Sequence, residues 1–235
     1  MFYTNWEILY QKISEDLELD IKNEIKSAKI FNEILKNNKN KIILESDLKN
    51  IFFKKEVFIF GAGPSLEKTI KSYKDRFENK ILISADGATS ALIKEKIYPD
   101  IIVTDLDGKV SDQINSNIKK SIVIIHAHGD NINNIKRYTK KFEKNIFGTI
   151  QINPLKYKFL NNYGGFTDGD RAVFLAEHFQ AKYIYLLGFD FDGNIGRYSF
   201  SENKNVFLKR KKLKWCKYLI DYLIDNNNCI KYLKP

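Results

Sequence analysis

Short apolar runs alternate with helix-like segments along most of this chain, and this alternation constrains the fold more than any other feature. From Val57 onward, the runs VFIF, ILISA, IIVTD, IVIIHA and YIYLLGF are each followed by a loop or a helix-like stretch. Strands that alternate with helices of about 10–15 residues indicate βαβ units and a parallel sheet. We therefore predict an α/β fold with a mostly parallel, open, Rossmann-like sheet flanked by helices, and with CIKYL as a last edge strand.

The first 50 residues have a different pattern. Trp6, Leu9, Tyr10 and Ile13 recur at three- and four-residue spacings, which is typical of an amphipathic helix. The pattern continues to about residue 35 and is broken only by an Asn-rich stretch. We therefore predict an N-terminal helical region over residues 1–50 and an α/β catalytic domain over residues 51–235.

Composition excludes several classes of protein. The chain has 235 residues, 43% of them hydrophobic, and no unbroken apolar stretch of the ~18 residues that a membrane span needs. Its two cysteines are too few for a disulfide framework, and no secretory signal is visible, so we expect a cytoplasmic protein. The net charge of +10 permits polyanionic partners, but the scattered lysines favour a solvated surface over a nucleic-acid face.

Acidic residues follow three of the predicted strands. Asp86 lies in SADGATS, Asp105 and Asp107 lie in PDIIVTDLDG, and Asp130 lies in HAHGDN. The carboxyl ends of parallel strands converge on one crevice, where clustered carboxylates need a cation between them. Asp105 and Asp107 would project from the same face of an extended backbone, and such pairs suit Mg²⁺. The sequence therefore predicts a magnesium–nucleotide site.

The segment GAGPS lies between a predicted strand and a predicted helix. Gly61 and Gly63 would allow close approach of a phosphate to the backbone, and the following helix would offer free N–H groups. Ser65, after Pro64, is a candidate N-cap. The segment is neither a complete GxGxxG motif nor a Walker A motif, so a plain tight turn remains equally open.

Two further segments combine glycine with acids. GGFTDGDRA leads into a helix, with Thr167 or Asp168 as its candidate N-cap, and GFDFDG again ends a strand with acids. Both could shape a pocket for a small polar ligand. An ionised Asp can accept a pair of hydrogen bonds from a pterin or guanine-like ring, although the sequence does not single out which Asp does so.

Histidine and lysine residues offer weaker signals. His126 and His128 have a spacing compatible with zinc, but no further soft ligands accompany them, so contact with phosphate or a structural hydrogen bond is favoured. A lysine-rich run begins at Lys209 on the predicted last helix. A solvated helix face explains this run by default, and contact of one or two lysines with a triphosphate is the alternative.

Six segments in order, GAGPSL, ADGATSAL, PDIIVTDLDG, HAHGDN, GFTDGDRA and GFDFDG, resemble the archaeal-type 6-hydroxymethyl-7,8-dihydropterin pyrophosphokinase family. Part of the chain is also similar to thiamin pyrophosphokinase. The resemblance implies transfer of diphosphate from ATP to the hydroxymethyl group of the pterin, with AMP as the second product. Gly108 stands where the thiamin enzyme usually has Ser, and no TD follows Asp130, which makes thiamin a poor substrate.

The resemblance also implies roles for individual residues. By the parallel with the thiamin enzyme, four aspartates would hold Mg²⁺: Asp86, Asp105, Asp107 and Asp130. The segment 61–65 and either Arg171 or Lys209 would steady the phosphates, and Asp168 or Asp170 would orient the pterin or a metal-bound water. The remaining candidates for substrate binding are Gly87, His128, Asn131, Thr167 and Asp190.

Two other readings remain open. GAGPSL also looks like the opening of certain sialyltransferase-like and flagellin-glycosylation proteins, which implies a glycosyltransferase that uses a nucleotide sugar. A non-catalytic nucleotide- or RNA-binding module is the other, but four acids at strand ends would repel a polyanion. We expect small-molecule partners, no membrane partner and no nucleic acid, and we leave a homo-oligomer open.

Overall fold

A computed structural model describes residues 5–192, 194–199 and 205–235. Within these ranges the chain forms one sheet of eight strands in the order β6-β5-β4-β3-β2-β1-β7-β8, and every neighbouring pair is parallel. The strands are β1 Glu56–Phe60, β2 Ile81–Ala85, β3 Ile101–Thr104, β4 Ile122–Ala127, β5 Ile146–Ile150, β6 Leu160–Asn161, β7 Tyr183–Leu187 and β8 Ile230–Tyr232. The predicted α/β class and the edge strand at CIKYL are confirmed, whereas the two-residue β6 was not predicted.

Helices connect the strands and cover the sheet. They are α1 Trp6–Asp16, α2 Ile21–Lys36, α3 Glu45–Phe52, α4 Leu66–Tyr73, α5 Ala88–Lys94, α6 Val110–Ile118, α7 Ile132–Tyr138, α8 Asp168–His178 and α9 Val206–Asn226. A helix follows each of β1, β2, β3 and β4, as parallel pairing requires, because the chain must return to the opposite end of the sheet. No helix in the described ranges is both long and apolar enough to cross a membrane.

The sheet has an apolar core on each face. In β1, Val57 and Ile59 belong to a core shared with α1, α3, α8 and α9. Phe58 and Phe60 point the other way, into a core shared with α4 and α5. All four side chains are fully buried. Burial on both faces explains why the strands read in the sequence as continuous apolar runs rather than as alternating ones.

The N-terminal helices are part of the same core. Trp6, Ile13 and Phe52 are buried against strand residues, and the Trp6 indole Nε1 donates a hydrogen bond of 2.8 Å to the carbonyl oxygen of Gln151. Helices α1 and α2 and most of α3 lie within residues 1–50, as predicted, and Ile42, between α2 and α3, forms an isolated parallel bridge with Ile146. These helices share their core with the sheet, so the structure does not separate residues 1–50 from residues 51–235. The division into these two regions stays a prediction.

Candidate active site

A cavity of about 310 Å³ lies along the carboxyl ends of the strands. Its wall follows the strand order of the sheet: Gln151 comes after β5, His128 after β4, Asp105 after β3, Asp86 after β2 and Gly61 after β1. Residues of α8 and α9 complete the wall. This is the edge at which open α/β sheets bind ligands, and it is the edge that the acidic segments predicted.

Three carboxylates meet near the middle of the cavity. Ligand oxygens of Asp86, Asp105 and Asp168 all lie within 4.8 Å of one another. Asp86 is held in place by two donors, because Thr104 Oγ1 and Gln113 Nε2 each donate to its Oδ1 at 2.8 Å. Asp168 is the first residue of α8 and reaches the cluster from outside the sheet.

The backbone around this cluster leaves the extended conformation. Asp86 has φ of +39° and Leu106 has φ of +67°, both in the left-handed region that non-glycine residues rarely adopt. β3 ends at Thr104, so Asp105 and Asp107 lie in a turn. The expectation that they share a face of extended backbone was wrong, because the left-handed residue between them re-aims the chain. Strained backbone of this kind is frequent at functional sites.

Crowding perturbs the protonation of the cluster. Burial and the charge of Asp105 raise the pKa of Asp86, and the same two causes raise the pKa of Asp168. Burial alone would raise the pKa of Asp105 too, but the hydrogen bond and charge of His128 hold it below its usual range. Asp107 lies on the cavity wall with an exposed side chain, and its partial desolvation there, together with the charges of Asp105 and Asp86, raises its pKa. A divalent cation among these groups would offset the repulsion between the carboxylates and favour their ionised forms.

Two of the four predicted ligands, Asp107 and Asp130, are not part of this cluster of the described residues. Asp130 has an exposed side chain on the cavity wall and is not among the clustered carboxylates of the described residues. Its neighbour Asn131 supports the loops instead, since its Nδ2 donates to the carbonyl oxygens of Asp105 at 2.8 Å and His126 at 2.7 Å. His128 Nε2 lies 3.3 Å from Asp105 Oδ2. Asn131 and His128 therefore position Asp105.

Backbone hydrogen bonds to the end of β7 and the residue after it hold the glycine-rich turn after β1. The N–H groups of Gly61 and Gly63 donate to the carbonyl oxygens of Leu187 and Gly188 at 2.8 and 2.9 Å. A Cβ atom on Gly63 would lie 2.5 Å from the Gly188 oxygen, so glycine is needed for this backbone contact. These two N–H groups already donate to protein acceptors, and Pro64 has no backbone N–H that could bind a phosphate. The contacts favour a tight turn here over a phosphate cradle.

Ser65 does not cap α4 as expected. Its backbone N–H and its Oγ both donate to Asp190 Oδ2 at 2.8 Å, and its side chain makes no capping hydrogen bond. Asp190 therefore ties the turn after β1 to the loop after β7, although its side chain also lines the cavity.

The GGFTDGDRA segment is held by its own acids. Thr167 is the N-cap residue of α8, and Asp170 accepts hydrogen bonds from the N–H groups of Phe166 and Thr167. Arg171 is buried, and its guanidinium donates to Asp168 Oδ1 at 3.1 Å and to the Phe166 carbonyl oxygen at 2.8 Å. Asp170 is therefore a structural residue, and Arg171 positions Asp168.

Helix α9 brings two lysines to the cavity. Lys209 was predicted, whereas Lys212, one helical turn later, was only one member of the basic run. Their i, i+3 spacing does not distinguish them, because Lys211 and Lys214 have the same spacing in the same run. Gly87 also lines the cavity, as expected.

Two polar residues on the wall were missed by sequence reasoning. Glu24 of α2 and Gln151 after β5 are 5% and 4% exposed and line the cavity beside His128. Glu24 shares the buried face of α2 with Ala28, Phe31 and Leu35, so helical spacing was a signal that could have placed this acid toward the core. The packing of α2 against the β4 end then brings it to the cavity wall.

Comparison with known proteins agrees with this geometry. The family model described as "6-hydroxymethylpterin diphosphokinase MptE-like" matches residues 29–195. The chain belongs to this family. A 6-hydroxymethyl-7,8-dihydropterin pyrophosphokinase of Methanocaldococcus jannaschii is 47% identical, and the match covers 97% of this chain and 98% of that protein. Proteins with the same name from Pyrococcus furiosus and Methanothermobacter thermautotrophicus are each 40% identical over at least 95% of both chains.

A solved structure of a MAf glycosyltransferase from Magnetospirillum magneticum is a distant match. It is 18% identical, covers 68% of this chain and 28% of its own chain, and superposes with a TM-score of 0.41. This likeness carries no argument about function. The resemblance to the pterin pyrophosphokinase family predicted from the six segments is confirmed.

Proposed function

We propose that this chain is a 6-hydroxymethyl-7,8-dihydropterin diphosphokinase, which transfers the terminal diphosphate of ATP to the pterin in a pterin-cofactor biosynthetic route. The observation that carries the proposal is near full-length similarity, at 47% identity, to a protein named for this activity. The cavity supports it, because the carboxylate cluster, the polar residues after β5 and two lysines of α9 all line the same cavity.

In this reaction the hydroxymethyl oxygen of the pterin attacks the β-phosphorus of ATP. The bond from that phosphorus to the oxygen bridging to the α-phosphate breaks, AMP leaves with this oxygen, and the hydroxyl proton passes to solvent. Phosphoryl transfer of this kind depends mainly on positioning and on neutralisation of the phosphate oxygens. The residues of the cavity are suited to both tasks.

The carboxylate cluster fits a magnesium ion. Oxygens within 4.8 Å of one another can close onto Mg²⁺, whose opposite ligands are about 4.2 Å apart. We propose Asp86, Asp105 and Asp168 as its ligands, with Asp107 next to them and Asp130 outside the set. When bound, the ion would neutralise phosphate charge, which is the usual role of Mg²⁺ in nucleotide sites.

Cations from the chain would hold the remaining phosphate charge. Lys209 and Lys212 line the cavity, and their charges act on the cluster, because they favour the ionised forms of Asp168 and Asp105 respectively. We therefore propose these two lysines as contacts for the phosphates. Arg171 acts indirectly, through Asp168.

The test is incubation of the purified protein with ATP, Mg²⁺ and 6-hydroxymethyl-7,8-dihydropterin, with products resolved by chromatography and phosphorus NMR. AMP and a pterin diphosphate should form together and should disappear when EDTA is added. Intact ATP with a folded protein would overturn the proposal, and a screen with CMP- and UDP-sugars would then test the glycosyltransferase reading.

Matched variants test the metal ligands in the same assay. Asp105→Asn and Asp168→Asn should each lower turnover by roughly 100-fold or more, since even groups that only support a ligand are worth 10–100-fold. Asp130→Asn is the control and should retain turnover, because its side chain lies outside the cluster. Loss of activity in Asp130→Asn with full activity in Asp168→Asn would restore the set inferred from the thiamin enzyme.

A further inference from the structure

Buried polar groups form a second cluster at the β5 end of the cavity. Glu24 and Gln151 line the wall, and the Gln151 side chain lies beside Glu24, Tyr10 and His126. Within the described part of the chain, His126 Nε2 is buried and makes no hydrogen bond of ordinary geometry, with the Gln151 side chain beside it. His126 lines the cavity, and buried polar groups are almost always paired, so this nitrogen on the wall beside Glu24 and Gln151 is typical of a ligand subsite.

Glu24 is the charged member of this cluster. Its Oε1 accepts a hydrogen bond of 3.0 Å from the N–H of Gly129, and burial raises the pKa of its carboxyl group. A carboxylate can accept several hydrogen bonds, so the Glu24 carboxylate, which accepts one from the Gly129 N–H, can accept further hydrogen bonds from a ligand. Donors from a ligand would stabilise the ionised form that burial disfavours.

The chemistry of the cluster matches one edge of the acceptor. The pyrimidinone ring of a pterin presents an amino group and a ring N–H side by side, followed by a carbonyl oxygen. A carboxylate pairs with the two adjacent donors, and an amide N–H pairs with the oxygen. Adenine presents a donor next to an acceptor, and it fits a carboxylate less well. The cluster therefore discriminates between the two substrates.

The position of the cluster also fits. Gln151 follows β5 and Asp105 follows β3, so two strand spacings, roughly 10 Å, separate them. A two-ring heterocycle with a one-carbon arm spans a similar length. With its pyrimidinone edge at Glu24, the hydroxymethyl group would reach the carboxylate cluster. Leu19 and Phe166 supply apolar surface to the same cavity for the ring faces.

On these grounds we infer that Glu24 and Gln151 recognise the 2-amino-4-oxo edge of the acceptor, with the Glu24 carboxylate accepting from the amino group and ring N–H. This inference rests on the proposed function, since it assigns one end of the same cavity. ATP then occupies the part of the cavity toward β1 and β7.

The test is a steady-state comparison of Glu24→Gln with the wild-type protein. Glutamine keeps an oxygen for the Gly129 N–H but presents an NH₂ group where a second acceptor is needed. The KM for hydroxymethyldihydropterin should rise on the order of 100-fold, while the KM for ATP stays within about twofold. Glu33→Gln, an exposed position on the same helix, is the matched control and should change neither value.

A substrate analogue separates recognition from a structural role. An acceptor that lacks the 2-amino group should bind the wild-type protein much more weakly than the natural acceptor, and Glu24→Gln should discriminate far less between the two. Equal binding of both compounds by the wild-type protein would overturn the inference, and this measurement requires no variant to fold. A rise in the KM for ATP alone would also overturn it and would place the adenine at this end.

The two proposals fail in different ways. A wild-type protein that makes no AMP from ATP and the pterin refutes the proposed function. A wild-type protein that is active, together with a Glu24→Gln variant whose pterin KM is unchanged, refutes only the assignment of Glu24.

Discussion

Asp190 Oδ2 accepts two hydrogen bonds of 2.8 Å from Ser65, one from its backbone N–H and one from its Oγ. This contact joins residues 125 positions apart and fastens the glycine-rich turn after β1 to the loop after β7. The turn is shaped by protein acceptors. Its glycines allow the two backbones to approach each other, since a Cβ atom on Gly61 would lie only 2.8 Å from the carbonyl oxygen of Gly188.

We expect Asp190→Ala to destabilise this junction. The substitution leaves a partly buried N–H and hydroxyl without their acceptor, which typically costs about 1–3 kcal/mol. Denaturant unfolding should show this loss, with a smaller one in Asp190→Asn, which keeps one oxygen. Asp192→Ala, at an exposed neighbouring position, is the control. Equal stability of all three variants would show that the contact does not hold the turn.

Gly108 should be intolerant of any side chain because of Asp86. A Cβ atom at position 108 would lie 2.3 Å from Asp86 Oδ2, so Gly108→Ala must displace a carboxylate that Thr104 and Gln113 hold in place. We expect magnesium affinity, measured by calorimetry, to fall by roughly 10–100-fold. Lys109→Ala, whose side chain is largely exposed, should leave it unchanged. Unaltered affinity in Gly108→Ala would remove Asp86 from the metal site.

Lys209 and Lys212 should contribute to nucleotide affinity. Replacement of either by Ala removes a cation from the cavity wall, and a hydrogen bond to a charged group is worth about 1.5–3 kcal/mol, or roughly 10–100-fold. The KM for ATP should therefore rise, with a steep dependence on salt in the wild-type protein. Lys214→Ala is the control, because this exposed residue of the same run does not line the cavity. A similar effect in all three variants would indicate only a general loss of positive charge.

His126 should make the protein less stable in acid. Burial, together with the nearby charges of Arg171 and His128, lowers its pKa well below the ordinary value of 6.5. Below pH 6.5 the unfolded chain takes up a proton that the folded chain does not, so stability falls as the pH falls. The loss from this group is about 1.4 kcal/mol at pH 5.5.

The measurement is denaturant unfolding at pH 7.5 and pH 5.5. His126→Asn retains a polar atom near Nδ1, which lies 3.1 Å from Thr149 Oγ1, but it has no titrating group. The difference in unfolding free energy between the two pH values should shrink by about 1.4 kcal/mol in this variant. An unchanged difference would mean that His126 is protonated in the folded state as well.

The sequence by itself determined the class of fold and the edge of the sheet at which the site lies. Apolar runs and helical spacing are local patterns, and they report burial of a strand on both faces or of a helix on one. The acids after β2 and β3 could therefore be placed at the carboxyl edge before any contact was known. The family resemblance carried by the six ordered segments came from the same local information.

Tertiary structure decided which side chains meet there. Asp168 joins Asp86 and Asp105 while Asp130 does not, because α8 begins over the middle strands and the loop after β4 leaves its acid at the surface. The left-handed φ at Leu106 re-aims Asp105 and Asp107, and the packing of α2 brings Glu24 to the cavity wall. Distances between side chains far apart in sequence depend on loop conformation and helix packing, and neither leaves a periodic pattern in the chain.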